Sequence, residues 1–294
     1  MNFKEQMAGK VAEIEKILKA YMPKEEGPQK LIMEAMNYSV TVGGKRLRPM
    51  LMQETYRLFG GEGDAIEPFM AAQEMIHTYS LVHDDLPAMD NDEYRRGKKT
   101  TWVAYGEDMA ILAGDGLLNY AFETALKAFG KADAERVAEC LKVLAGKAGI
   151  YGMIGGQVVD VMSEEKKIDM ETLLFIHRNK TSALIQSSMM IGAVMAGASE
   201  EDVEKIEKIG EDIGLAFQIQ DDILDVTSTT EVLGKPVGSD EKNNKLTYVV
   251  LHGLEESKKE VEKLSDEALL ILKSFHQRNV FLEELVESLI TREK

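Results

Sequence analysis

Two stretches of this chain gather carboxylates beside apolar helical runs. The first, "SLVHDDLPAMDND", holds Asp84, Asp85, Asp90 and Asp92 with Asn91; the second, "QIQDDILD", holds Asp221, Asp222 and Asp225. At about 100° per residue, an ideal helix places Gln218, Asp221, Asp222 and Asp225 within an arc of about 100°. Their neighbours Ala216, Phe217, Ile219, Ile223 and Leu224 are apolar, so this helix is expected to be largely buried, with its carboxylates lining a cavity. Two ionised carboxylates about 4 Å apart repel by about 4 kcal/mol at an effective dielectric near 20, so such a face calls for a cation. Oxygen-only donors favour Mg2+ or Ca2+ over zinc, and Mg2+ is commonly held by one or two carboxylates together with substrate phosphates. The first stretch does not fit a continuous helix, because Pro87 lacks the N–H that would reach His83 and its ring clashes there. A bulge at that point would let Asp84 and Asp90 converge on one ion. An EF-hand is a poor match: "DNDEYRRGKKTT" puts Tyr94 where a ligand is wanted and has no closing glutamate.

Basic residues accompany the acids in "GGKRLRP" (43–49) and "YRRGKKT" (94–100). Guanidinium forks and a lysine ammonium can grip a diphosphate, and Gly43 and Gly44 allow close approach of backbone to oxyanions. His77 precedes Asp84 by seven residues and shares its helical face, so it is expected at the same cavity.

The elements that must carry these groups are helices. Apolar residues recur at helical spacing at Val11, Ile14, Ile17 and Leu18, at Val203, Ile206, Ile209 and Ile213, and near Leu269 to Leu272, whereas no convincing alternating strand occurs. The six prolines sit mostly at breaks, with further punctuation at "EEGP", "FGGEGD", "FGKAD" and "LGKPVGSDEKNN". The expectation is an all-α chain of roughly ten or more helices forming a single domain over residues 1–294. There are 35 Lys and Arg against 51 Asp and Glu, a net charge of −16, which argues against nucleic acid or an anionic membrane as main partner. Phosphates must therefore be held by local basic clusters or by metal. Cys140 is the single cysteine, which excludes an intramolecular disulfide and suits a small core residue. The charged N-terminus has no secretory pattern, and Thr181–Ala198 is too polar for a membrane span. A cytoplasmic protein with no membrane insertion is the expectation.

Taken in order, "GGKRLRP", "HTYSLVHDDLPAMDNDEYRRGKKT", "GGQVVD", "HRNKT", "FQIQDDILD" and "LGKPVGSDEKNNKLTY" resemble the trans-isoprenyl diphosphate synthases, from about residue 30 to the C-terminus. The resemblance is greatest to the bacterial enzymes making farnesyl diphosphate. It implies a helical bundle around a central cavity, a homodimer, and three Mg2+ ions, with Mn2+ as an alternative, held by Asp84, Asp85, Asp90, Asp221 and Asp225. It implies that Arg95, Lys180, Lys235 and Lys245 bind the allylic diphosphate (dimethylallyl or geranyl), while Lys45, Arg48, His77 and Arg96 bind isopentenyl diphosphate. Gln157, Thr181 and Gln218 would face the reacting carbons. Tyr79, five residues before Asp84, would limit the product to fifteen carbons, with Ser80 leaving room beside it, and "Pro-Ala" inside "DDLPAMD" matches the bacterial insertion. One departure is Thr227-Ser228-Thr229, where many relatives carry Gly-Asp. Arg292 and Lys294 stand where relatives sometimes cover the diphosphate site. A terpene cyclase would not need "GGKRLRP". A twenty-carbon synthase and a non-catalytic subunit are the alternatives, and the latter usually lacks an aspartate motif that this chain keeps.

Overall fold

The computed structural model describes residues 2–164, 166–227 and 247–290; Lys235, Lys245, Ser228, Thr229, Arg292 and Lys294 lie outside them. The described chain is all-α apart from one two-residue hairpin, which hydrophobic periodicity could not announce. It divides into two compact units, Met1–Gln53 with Glu62–Leu141, and Glu54–Gly61 with Lys142–Lys294.

The first unit contains α1 (Phe3–Tyr21), α2 (Lys30–Thr41), the start of α3 (Leu47–Leu58), α4 (Glu67–Asp84), the hairpin β1 (Tyr94–Arg95) and β2 (Lys98–Lys99), α5 (Thr101–Tyr105), α6 (Glu107–Ala125) and the start of α7 (Ala134–Ala148). A capping box opens α1: Glu5 N–H donates to Asn2 Oδ1 and Asn2 N–H to Glu5 Oε2. Pro68 occupies the first turn of α4, where its missing N–H costs nothing. From Pro68 to Ile76 every residue of α4 is buried, which makes it the central helix of this unit. Helix α6 lies along it with Ala110, Ala113, Gly114, Leu117 and Ala121 buried, a small-residue face that brings the two axes close. Leu117 is fully buried, so its truncation to alanine would cost about 2–5 kcal/mol. Helix α4 ends at Asp84, three residues before Pro87, as the proline requires.

The second unit contains the ends of α3 and α7, then α8 (Met153–Ser163), α9 (Met170–Ile176), a π-helical turn (His177–Ser182), α10 (Ala183–Ala196), α11 (Glu200–Thr227), α12 (Tyr248–His252), α13 (Leu254–Ser274) and α14 (Val280–Ile290). Helix α11, 28 residues long, packs against α10, α13 and the π turn. Leu215, Ala216, Ile219 and Ile223 of α11 join Val261 and Leu264 of α13 in an apolar cluster. Helix α10 is buried on nearly every side, which explains why the weakly polar stretch after Thr181 is so apolar. No helix among the described residues is long and apolar enough to cross a membrane.

Candidate functional site

The end of α4 turns back on itself. Asp90 N–H donates to Asp84 O at 2.8 Å and Asn91 N–H to Leu86 O at 3.1 Å, with Asn91 in the left-handed region at φ 55°. The chain therefore returns Asp90 to Asp84, the bulge that Pro87 foreshadows. The far side of the turn is anchored where Asp92 O accepts from Thr100 Oγ1 (2.8 Å) and Trp102 Nε1 (2.9 Å). Asp85 has a different setting: it is 4 % exposed and takes the Arg95 guanidinium through Nη2 at 2.6 Å and Nε at 2.8 Å. Burial raises its carboxyl pKa while Arg95 opposes the rise. Both bonds fall on Asp85 Oδ1, so this carboxylate orients Arg95.

Arg95 lies in the hairpin, whose strands pair Tyr94 with Lys99 and Arg95 with Lys98. The two residues between them, Arg96 and Gly97, have φ of 54° and 73°, the signature of a type I′ turn. Glycine adopts that geometry freely, but arginine does not, and the strained position delivers the Arg96 guanidinium to Gly43 O, to which Nη1 donates. Gly44 has no side chain to obstruct it: a Cβ there would stand 2.7 Å from Arg96 Nη1. The close approach that the Gly43-Gly44 pair permits in this structure is thus to Arg96.

Arg48 and His77 complete this basic group. A guanidinium can only donate, so His77 Nε2 accepts from Arg48 Nη1 at 3.3 Å, which leaves the His77 proton on Nδ1. Burial, then Arg48, Arg96, Arg95 and Arg46 in turn, hold the His77 pKa well below its usual value, so the ring is neutral at neutral pH. Burial also pushes Arg48 down to about 10, with Glu74 opposing and Arg96 adding to the shift. Arg48 Nε is buried with no hydrogen-bond partner among the described residues. Such a concentration of positive charge in a chain of net charge −16 is suited to an anion. Arg46, between Lys45 and Arg48 in sequence, does something else. It is buried and bound to Glu15 (2.7 Å), Glu74 (2.7 Å) and Val40 O (2.6 Å), an ion-pair network that fixes the loop before α3. Lys45 is exposed. Tyr79 is buried on α4, and Ser80 Oγ donates to His77 O at 2.9 Å.

In the second unit, a cavity of about 160 Å³ is lined by Asp160, His177, Lys180, Thr181, Gln218 and Asp222 on its polar side, and by Ile168, Leu173 and Ile176 on its apolar side. Lys180 Nζ donates to Asp160 Oδ2 at 2.6 Å and Thr181 Oγ1 to Gln218 Oε1 at 2.7 Å. Both Lys180 and Thr181 belong to the π turn, an irregularity often found at functional sites. Two glycines hold that turn in place. A Cβ on Gly156 would overlap the backbone of Asn179 and Lys180, and one on Gly214 would overlap Ser182. Burial pushes His177 down to about 4, and its Nδ1 is buried without a hydrogen-bond partner among the described residues. On α11, Asp221 is partly exposed and Asp225 buried, while Asp222 Oδ2 accepts from Tyr248 N–H at 2.7 Å, tying α11 to the start of α12. Gln157 is partly buried on α8.

Asp160 thus joins the candidate residues without having been singled out by sequence, its signal being the last residue of the "GGQVVD" motif. Asp222, read from sequence as part of the second acidic cluster, lines the cavity beside Gln218 and also caps the start of α12. Among the described residues no three His, Cys, Asp or Glu side chains are gathered to hold an ion by themselves. The oxygen donors of Asp84 and Asp90 in the first unit, and of Asp221 in the second, are of the hard type that suits divalent ions whose shells are completed by water and substrate oxygens.

The polyprenyl synthetase family model matches residues 29–288. The chain is 45 % identical over 253 residues to a farnesyl diphosphate synthase from Geobacillus stearothermophilus, covering 84 % of each protein. It is 44 % identical over 267 residues to a geranylgeranyl diphosphate synthase from Cyanophora paradoxa, covering 90 % of this chain and 89 % of that one. Among solved structures, a geranyltransferase from Helicobacter pylori complexed with magnesium and isoprenyl diphosphate superposes with a TM-score of 0.84 at 32 % identity, covering 99 % of this chain and 97 % of that chain. The motif order, the all-helical architecture and these matches agree, and the chain belongs to the polyprenyl synthetase family of trans-isoprenyl diphosphate synthases.

Proposed function

We propose that this prenyltransferase is a Mg2+-dependent farnesyl diphosphate synthase, condensing isopentenyl diphosphate head-to-tail with dimethylallyl and then geranyl diphosphate. The observation that carries the reading is the group formed by Arg48, His77 and Arg96, a basic site separate in role from the metal-binding aspartates. A terpene cyclase, with a single diphosphate to hold, has no use for it.

In the first unit, Lys45, Arg48, His77 and Arg96 hold the diphosphate of isopentenyl diphosphate. The neutral His77 ring offers its Nδ1–H as a donor without adding charge to the crowded guanidinium groups. Asp84 and Asp90 are the metal ligands there, and Asp85 supports them by fixing Arg95 toward the allylic diphosphate. In the second unit, Asp221 and Asp225 complete the acidic set, and Lys180, oriented by Asp160, binds the allylic diphosphate, as Lys235 and Lys245 do by family likeness. When bound, Mg2+ supplies electrostatic stabilisation of the negative charge that builds on the departing diphosphate. Lys180, held by Asp160, and Arg95, held by Asp85, are the cationic side chains proposed to add to it, and the allylic C–O bond ionises.

Thr181 donates a hydrogen bond from its hydroxyl to Gln218 Oε1, so its oxygen lone pairs remain to face developing positive carbon. Ile168, Leu173 and Ile176 keep water from the same space. The double bond of isopentenyl diphosphate then attacks, and loss of a proton, with the released diphosphate as acceptor, completes the new C–C bond.

Tyr79, buried five residues before Asp84, supports a fifteen-carbon limit. The second reading, a twenty-carbon product, is favoured by the 44 % identity to a geranylgeranyl diphosphate synthase. The family match spans both units, which supports reading residues 1–294 as a single catalytic domain. Exposed Ile111 and Leu112 on α6 support a homodimer, and the single cysteine suits a reducing, cytoplasmic location. The test is product analysis with labelled isopentenyl diphosphate: a dominant fifteen-carbon alcohol after dephosphorylation is expected, and a dominant twenty-carbon alcohol would overturn the farnesyl assignment.

A further inference from the structure

Tyr79 can limit chain growth only if its ring is held in one place, and its own polar group does not hold it. The hydroxyl is buried with no hydrogen-bond partner among the described residues; burial and nearby Asp84 raise its pKa to about 12, so it stays protonated and cannot act as an ionic anchor. The ring is 6 % exposed, and its one aromatic neighbour among the described residues is His83, a turn further along α4. The two rings meet edge-to-face, with centroids 5.9 Å apart and planes at 83°.

His83 is itself fixed to the neighbouring helix. Its Nε2 donates to Ile111 O of α6 at 3.1 Å, and Asp115 Oδ1 lies 3.9 Å from the same nitrogen. The donating tautomer follows from the carbonyl, which can only accept. The opposing residue on α6 is Gly114, and a Cβ there would fall inside the His83 ring. The imidazole thus fills the space that a side chain on α6 would otherwise take. It closes a chain of contacts from the α6 backbone, through His83, to the Tyr79 ring.

We propose that His83 and Gly114 form a clamp that sets product length by fixing the Tyr79 ring, with His83 as a positioning residue and Gly114 as the gap that admits it. The clamp rests on the reading of Tyr79 as the chain-length limit. It differs from that reading in placing part of the specificity on α6, in a glycine that touches neither substrate nor metal. Ile111 contributes only its carbonyl to the clamp. A relative with alanine at the Gly114 position would need a smaller residue at the His83 position to accommodate it.

The test compares wild type with His83→Leu, which keeps apolar bulk but loses both the α6 hydrogen bond and the ring edge, and with Gly114→Ala, which displaces the imidazole. Three quantities are read: the chain lengths of dephosphorylated product, the thermal midpoint, and the ring-flip rate of Tyr79 from NMR of protein carrying labelled tyrosine. The expected result is a roughly two- to tenfold rise in the fraction of product longer than fifteen carbons, the population ratio that one aromatic pair contact supports, together with faster Tyr79 ring flips in both variants. Unchanged product lengths with a lowered midpoint would make the contact merely structural and overturn the clamp. An unchanged flip rate in His83→Leu would overturn it as well. If wild type makes no product of any length, the synthase reading fails on its own, and the flip rates still decide whether His83 holds the ring.

Discussion

The π turn that carries Lys180 and Thr181 is held by the absence of two side chains, and Gly156→Ala is the substitution that exposes this. The added Cβ would overlap the main chain at Asn179 and Lys180, and neither backbone segment can rotate away as a side chain could. Either α8 or the π turn must shift. Overpacking of this kind typically costs about 1–3 kcal/mol, and at roughly 2–4 °C per kcal/mol for larger domains the thermal midpoint falls by several degrees. The functional effect should be larger. A displacement of about 1 Å in a positioning group can cost on the order of 100-fold in rate, and the shift acts directly on the backbone that aims Lys180 at Asp160 and Thr181 at Gln218. The assay is steady-state incorporation of labelled isopentenyl diphosphate with the allylic substrate varied, alongside thermal melting. Gly146→Ala is the control: a Cβ there meets nothing within 4 Å, and in the last turn of α7 it should leave the midpoint unchanged or slightly raised. Gly156→Ala with wild-type midpoint and wild-type kinetics would refute the claim that the glycine fixes the turn.

Other consequences are equally open to measurement. Arg46→Ala leaves Glu74 buried without its partner and should destabilise the protein by about 3–5 kcal/mol, whereas Arg48→Ala should raise the KM for isopentenyl diphosphate with a smaller change in melting; paired melts and kinetics separate the two. Tyr79→Ala should lengthen the product, and an active variant that still stops at fifteen carbons would contradict the gate. Acid should weaken the fold because His177, at about 4, and His77 bind protons less readily when folded than when unfolded. The unfolded chain then holds more protons below the ordinary histidine value of about 6.5, so stability falls as pH drops from there toward 4. For His177 the loss reaches about 3 kcal/mol at the acid end, and His177→Phe should flatten that arm in denaturant titrations. A chelator should abolish isopentenyl diphosphate incorporation, and added Mg2+ should restore it.

Much of this arrangement was legible in the residues because the relevant physics is local. Helical periodicity and the prolines gave the all-α class, and Pro87 foretold that no continuous helix would run through the first acidic stretch and that the chain would bulge there. What escaped depended on contacts distant in sequence or on geometry without a compositional mark. The hairpin has two residues per strand and carries Arg-Gly at a turn where Asn-Gly would be the usual signal. A π turn has no periodicity of its own in so short a span. Arg46 and Arg48 look alike within "GGKRLRP", yet only the placement of Glu15 and Glu74 shows that one is bound into the loop's ion pairs while the other meets His77. Asp85 and Asp84 are likewise adjacent aspartates, and the position of Arg95 across the turn is what separates them.

The most direct test of the account is incorporation of radiolabelled isopentenyl diphosphate with dimethylallyl or geranyl diphosphate, with and without Mg2+, followed by dephosphorylation and separation by chain length. The account predicts a Mg2+-dependent fifteen-carbon product from both starters. No incorporation from any starter, at any Mg2+ concentration, would contradict it.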